Sequence, residues 1–103
     1  MVEVTFTYDF HPDYDVNKYT KVARKATSMM VQAEGFIEFH ANRNMLGSPH
    51  VRRTSVWKSL AHWAAFAQQH EFQMLTAEFR ELVDHLDVQI WGPSPISPEP
   101  IRP

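Results

Sequence analysis

The spacing of apolar residues alternates between two periods along this chain, and the order of the changes constrains the fold more than any other feature. Apolar and polar residues alternate over residues 2–9, a pattern typical of a β-strand. From residue 14 to residue 34 apolar residues recur at helical spacing, which predicts an amphipathic helix. Asp13 or Asp15 can cap its start, and Gly35 stands where a helix-ending glycine is common.

The second half of the chain repeats both periods. Alternation over residues 36–43 and 50–58 predicts two strands, which we expect to pair as a hairpin. Ser59 can cap a following helix, but the apolar register slips near Gln69, so this helix should break into two pieces. A last strand is predicted around residues 86–90.

The resulting order is strand, helix, strand, strand, broken helix, strand. This order predicts an α+β, ferredoxin-like βαββαβ domain over residues 1–92, with helices on one face of an antiparallel sheet. Residues 93–103 hold five of the seven prolines and form a Pro-rich C-terminal tail. The tail is either frayed or a strap over a partner subunit, since Ile96 and Ile101 give it apolar surface to bury.

Composition sets further limits. Hydrophobic residues make up 44% of the 103 residues, more than one sheet-and-helix layer can cover, so a pocket or a partner must bury the excess. The net charge of −2 disfavours nucleic acid and anionic membranes as partners. The absence of cysteine excludes disulfides and thiolate chemistry. No leader pattern or membrane-length apolar run is evident, so the expected location is the cytoplasm.

Three local motifs, in this order and spacing, carry a family resemblance: Glu34-Gly35-Phe36, Val56-Trp57-Lys58-Ser59 and His70-Glu71-Phe72. With them the chain resembles the antibiotic biosynthesis monooxygenase family, whose domains are dimeric α+β barrels. The resemblance implies a homodimer that packs through its sheet faces and a pocket between sheet and helices. It also implies a reaction class that includes cofactor-free oxygenases of quinol-like aromatics, although fold membership alone does not fix the reaction.

The heme-degrading branch of this family fits the chain poorly. That branch places an Asn on the first strand, a Trp on the helix after the third strand and a His further along it. The corresponding positions here hold Thr7 or Tyr8, Phe66 and Thr76, so heme degradation is disfavoured.

Trp63, Phe66 and Phe72 form an aromatic group around the predicted helix break. Aromatic residues at helical spacing are usually core. The alternative is a slot that stacks a flat aromatic substrate, and both interpretations hold if the slot is underpacked core. We therefore predict these residues, with Tyr8 and Arg53, as the substrate-binding set.

Two histidines are the predicted catalytic bases. His62 adjoins Trp63, and a His near neutral pKa can accept a phenolic proton. His40 lies in the second strand on the face shared with Glu38, which could orient its ring. The alternatives are a solvated His62 and an interfacial, hydrogen-bonded His40.

Arg52 and Arg53 point to opposite faces of the third strand, so one of them should be buried or interfacial. A buried Arg normally needs a carboxylate, and Glu38 on the neighbouring strand is a candidate. Otherwise the Arg can hold a substrate oxygen.

No cofactor or metal is predicted. No two of the six histidines have the helical spacing that converges on one ion, and the three glycines form no phosphate-binding loop. Three functions remain open: a cofactor-independent monooxygenase of a small aromatic or quinol-like compound, a non-catalytic dimer that binds a small hydrophobic ligand, or an isomerase on the same scaffold.

Overall fold

A computed structural model describes residues 1–103 and contains four strands and three helices. In chain order they are β1 (Val2–Phe10), α1 (Val16–Val31), β2 (Phe36–Arg43), β3 (Val51–Trp57), α2 (Leu60–Ala67), α3 (His70–Arg80) and β4 (Val83–Trp91). The predicted α+β, ferredoxin-like order with a split second helix is confirmed.

The strands form one antiparallel sheet in the order β2-β3-β1-β4, so β1 and β3 lie at its centre. Pairing aligns Phe6 with Arg53 and Val4 with Ser55, and these residues face the helices. The other face carries Thr5 and Thr54, and no helix of the chain covers it.

Local side-chain chemistry fixes the helix ends. The Asp15 carboxylate accepts a hydrogen bond from the Lys18 amide and caps α1, as predicted. The helix ends at Val31, short of the predicted residue 34, because a turn follows in which Gly35 has φ +84°. Ser59 caps α2 through the His62 amide.

Two hydrophobic clusters fill the space between the sheet and the helices. One surrounds the fully buried Trp57 and the other surrounds the fully buried Tyr8. Phe6, Ala26 and Met29 pack against both clusters and join them into one core.

The tail, residues 93–103, contains no helix or strand, and its Ile96 and Ile101 are 92% and 87% exposed. Trp91, the last residue of β4, is also exposed. None of the helices has the length and apolarity needed to span a bilayer.

Candidate active site

An apolar pocket of about 50 Å³ lies between the sheet and helices α1, α2 and α3. Eleven of its fourteen lining residues are hydrophobic. The three others are Arg53 and Ser55 from β3 and Thr76 from α3. Arg53 is therefore the only ionisable side chain on the pocket wall.

Residue size explains why a pocket forms at this place. The face of α1 that covers it carries Ala23 and Ala26, whose methyl groups leave a gap above the sheet. Larger residues close the sides: Phe39 from β2, Trp63 from α2 and Phe72 from α3. The gap persists because the surrounding aromatic rings are already held by other packing contacts.

The predicted aromatic group does come together. The rings of Trp63 and Phe72 are 6.0 Å apart and nearly perpendicular, and Phe66 lies 4.5 Å from Phe72. Trp63 and Phe72 line the pocket, whereas Phe66 packs behind them against Trp57. These residues belong to the core and two of them also form the pocket wall.

Arg53 is half-buried, and its hydrogen-bond partners are neutral groups, two on α1 and the Tyr8 hydroxyl on β1. Its Nη2 donates to the Thr27 hydroxyl at 2.7 Å and to the Ala23 carbonyl at 3.3 Å. The guanidinium carbon lies 4.6 Å from the centre of the Phe39 ring, within cation–π range. The candidate pair with Glu38 does not form, because pairing places Glu38 opposite Val56, on the other face of the sheet.

Tyr8 is fully buried and does not line the pocket. Its hydroxyl is hydrogen-bonded to that of Tyr19, and its ring packs edge-on against Phe79 at 4.7 Å. Burial, helped by the bond to Tyr19, raises the pKa of Tyr8 far above its ordinary value, and nearby Arg53 only partly opposes this. Tyr8 therefore stays protonated at any physiological pH.

Neither predicted base lines the pocket. His40 pairs with Thr54 and is exposed on the sheet face away from the helices. His62 is half-buried at the start of α2, where its Nδ1 is 2.7 Å from the Ser59 hydroxyl and its ring covers Gly35.

Sequence reasoning missed several wall residues, notably Phe6 and Phe39. Phe39 alternates with His40, and alternation alone does not show which of the two residues faces the helices. The pair Ala23 and Ala26, three apart on the buried face of α1, was the available signal for a gap in the core.

A second polar cluster surrounds Asp9 at the end of β1, outside the pocket. The Asp9 carboxylate accepts hydrogen bonds from the Ser48 hydroxyl at 2.7 and 2.8 Å and from the His50 amide at 2.9 Å, and it lies 3.1 Å from His85 Nδ1. The hydrogen bond from Ser48 contributes most to lowering the pKa of Asp9 below its ordinary value, and His85 and His50 lower it further. No group of three or more His, Asp or Glu side chains is arranged to hold a metal ion.

The fold and the pocket together define a class: small α+β domains with a split βαβ sheet and an apolar site between the sheet and the helices. Within that class, the sequence profile described as antibiotic biosynthesis monooxygenase matches residues 1–78, and the chain belongs to this family. No curated protein matches the sequence.

Proteins whose solved structures share this fold include enzymes of different reaction classes. SnoaB, a cofactor-independent oxygenase from Streptomyces nogalater, superposes with a TM-score of 0.76 at 13% identity, over 87% of this chain and 89% of that one. A hydroxynitrile lyase from Passiflora edulis gives a TM-score of 0.75 at 11% identity, over 87% and 90%. A conserved protein from Methanosarcina mazei gives 0.77 at 13% identity, over 87% and 89%. These likenesses show the fold, and the reaction must be argued from the site.

Proposed function

We propose that this protein is a cofactor-independent monooxygenase of a small aromatic or quinol-like compound, with the pocket beneath α1 and α3 as its active site. The observation that carries the proposal is an apolar pocket with aromatic walls, Trp63 and Phe72, and one charged side chain, Arg53. Membership of the monooxygenase family supports the reaction type, and SnoaB has the same fold.

The proposed reaction converts a phenol to a quinone. The ring gains one oxygen atom from O₂ and loses two hydrogens, and the second oxygen atom leaves as water, so the substrate supplies all four electrons. An ionised phenol is the more electron-rich reactant. The pocket would orient the ring against Trp63 and Phe72 and exclude bulk water from it.

The pocket is small for this task. Its volume of about 50 Å³ is a third of the roughly 150 Å³ that accommodates benzene in an engineered protein cavity. A ring therefore enters only if part of the wall moves. The junction between α2 and α3 is the best candidate, because the Gln69 side chain makes no capping hydrogen bond there and Phe72 follows one turn later.

Oxygen consumption over a panel of phenols and quinols tests the proposal. Ala26→Leu fills the pocket and should reduce turnover at least about tenfold, because the added side chain occupies the space of the ring. Ala65→Leu, on the exposed face of α2, adds the same atoms outside the pocket and should leave turnover unchanged. Absence of oxygen uptake with every compound would contradict the proposal.

The roles of His40 and His62 as bases stay predictions. If His40→Ala or His62→Ala abolishes turnover in a folded protein, that residue takes part in the reaction. If both variants retain full turnover, neither histidine is the base.

A second function is favoured by one observation: the pocket wall contains no His, Asp, Glu or Tyr, and so no side chain that exchanges protons readily near neutral pH. A dimer that only binds a small hydrophobic ligand needs no such group. Recovery of a tightly bound phenol unchanged after prolonged aerobic incubation would favour binding over oxidation.

We also propose a homodimer that packs through the uncovered sheet faces, located in the cytoplasm. No helix of the chain lies on the face centred on Thr5 and Thr54. A second copy would cover it, with contacts that include many hydrogen bonds, since the face is largely polar. Sedimentation should show a dimer at micromolar concentration, and Thr5→Arg should shift it towards monomer. A stable wild-type monomer would exclude the dimer.

A further inference from the structure

We infer that the ligand of the pocket is an aromatic anion, with its ring in the apolar pocket and its charged oxygen held by Arg53 at the mouth. The inference rests on the proposed function only in taking this pocket as the ligand site. It adds the chemical class of the ligand and assigns Arg53 the role of recognising its charge.

The first support is that Arg53 has no counter-ion. It forms no ion pair with any carboxylate of the chain, although one Lys–Glu ion pair and three His–Asp contacts are present elsewhere. Its hydrogen bonds go from Nη2 to Thr27 and Ala23, and a further one reaches the Tyr8 hydroxyl, so at least two of its five N–H groups remain for another acceptor. An anionic partner stabilises a guanidinium that is partly removed from water, and here the chain supplies none.

The second support is the position of Arg53. It lines the apolar pocket and also an adjoining depression beside α1 in which polar residues predominate, and Ala23 is the other residue common to both. Arg24 adds a second cation to the depression, and no Asp or Glu lines either space. The pocket mouth is therefore a boundary between an apolar interior and a positively charged exterior. A ligand that matches both sides has an apolar ring and an anionic head.

A third point links this assignment to the reaction. A guanidinium favours the ionised form of an adjacent acid and lowers its pKa by about 1–3 units. Arg53 would thus increase the fraction of a bound phenol that is ionised, even though no side chain on the pocket wall acts as a base. Carboxylates and phenolates share the recognised chemistry, a delocalised oxygen anion on a ring, and separate probes distinguish them.

Calorimetric titration with benzoate and with benzamide, its neutral isostere, tests the inference directly. Wild-type protein should bind benzoate about 10- to 100-fold more tightly than benzamide, the range expected for a hydrogen bond to a charged group in a partly buried site. In Arg53→Gln the ratio should fall to near one, and in Arg53→Lys most of the preference should remain because the charge remains. Arg80→Gln, an identical change at an exposed position, should bind like wild type.

The phenolate arm uses 4-nitrophenol, whose anion absorbs visible light. The pKa of the bound probe should lie about 1–3 units below that of the free probe in wild type. In Arg53→Gln it should lie at or above the free value, because only the apolar wall remains. A shift with 4-nitrophenol together with weak benzoate binding would identify phenolates as the ligands, and the reverse would identify carboxylates.

Equal affinity for benzoate and benzamide in the wild type would overturn the inference and leave the pocket as a binding site. Failure of both ring probes to bind would overturn the inference and the site together. Anion preference without oxygen uptake would uphold the inference and refute only the oxidation. If Arg53→Gln does not fold, the wild-type ratio and Arg53→Lys still decide the question.

Discussion

Gly35→Ala should be among the most damaging single-methyl additions in this chain. Gly35 has φ +84°, a conformation that disfavours any residue with a Cβ. An added Cβ would also lie 2.5 Å from the Cβ of His62 and closer still to two atoms of its ring. Both effects act at Gly35, which lies in the turn between α1 and β2 and is covered by the start of α2.

The two contributions can be estimated separately. The left-handed backbone costs about 1–2 kcal/mol for a residue other than glycine. Overpacking against His62 adds about 1–3 kcal/mol, because the nearest atoms include a Cβ that rotation about χ1 cannot remove. The free energy of unfolding should therefore fall by about 2–5 kcal/mol, a large part of the 5–15 kcal/mol typical of a domain.

Urea denaturation followed by tryptophan fluorescence, at one fixed protein concentration, measures this loss. Gly47→Ala is the matched control, since Gly47 has φ +116° and nothing within 4 Å of an added Cβ. It should lose only the backbone part, about 1–2 kcal/mol.

A double-mutant cycle with His62→Gly isolates the steric part. Glycine is the informative replacement, because alanine would keep the Cβ that the new methyl meets. In the His62→Gly background Gly35→Ala should cost no more than Gly47→Ala does in the wild type. If Gly35→Ala costs the same in both backgrounds, His62 does not pack on this turn as the structure indicates.

Three further predictions concern the core, the polar cluster and the pocket. Ser55→Ala leaves the buried Trp57 Nε1, which donates to the Ser55 hydroxyl at 2.8 Å, without an acceptor, so stability should fall by about 1–3 kcal/mol in urea denaturation, whereas the exposed Ser28→Ala should have little effect. Because the pKa of Asp9 is lowered by folding, its contribution to stability is complete above the ordinary value of 3.8 and is lost as the pH falls through the lower folded value. Asp9→Asn should therefore flatten the dependence of stability on pH in this acid range, and a slope as steep as that of the exposed control Asp13→Asn would contradict it. Phe72→Ala should cost about 3–5 kcal/mol and enlarge the pocket, so saturating benzene should raise the melting temperature of this variant more than that of wild type, and an equal shift would contradict the enlargement.

The elements of this fold were predictable because each depends on local chemistry. Asp15 and Ser59 cap their helices wherever the rest of the chain lies, and the register slip near Gln69 marks a break that any packing must accommodate. The ferredoxin-like topology then follows, because this order of elements has few ways to form one antiparallel sheet.

The faces of the strands were harder to assign. Alternation shows that Phe39 lies opposite His40, but it does not show which of them meets the helices. In β1 the stripe of Val4, Phe6 and Tyr8 settles the question by its apolarity. In β2 a register shift between residues 36 and 38 interrupts the pairing with β3, and the sequence pattern does not predict this shift.

The orientation of β3 decides the chemistry of the site, and local sequence cannot supply it. Val51 and Trp57 lie on the face of Arg53, whereas Val56 lies on the face of Arg52, so each face offers apolar residues and one arginine. Pairing with β1 determines which face of β3 meets the helices, because it aligns Arg53 with Phe6 beneath α1 and Arg52 with Thr7 on the uncovered face. The same long-range pairing separates Arg53 from Glu38, the carboxylate that a sequence argument offers it. Tertiary structure thus half-buries Arg53 and separates it from its nearest candidate counter-ion. An anion from outside the chain explains this arrangement better than a structural ion pair does.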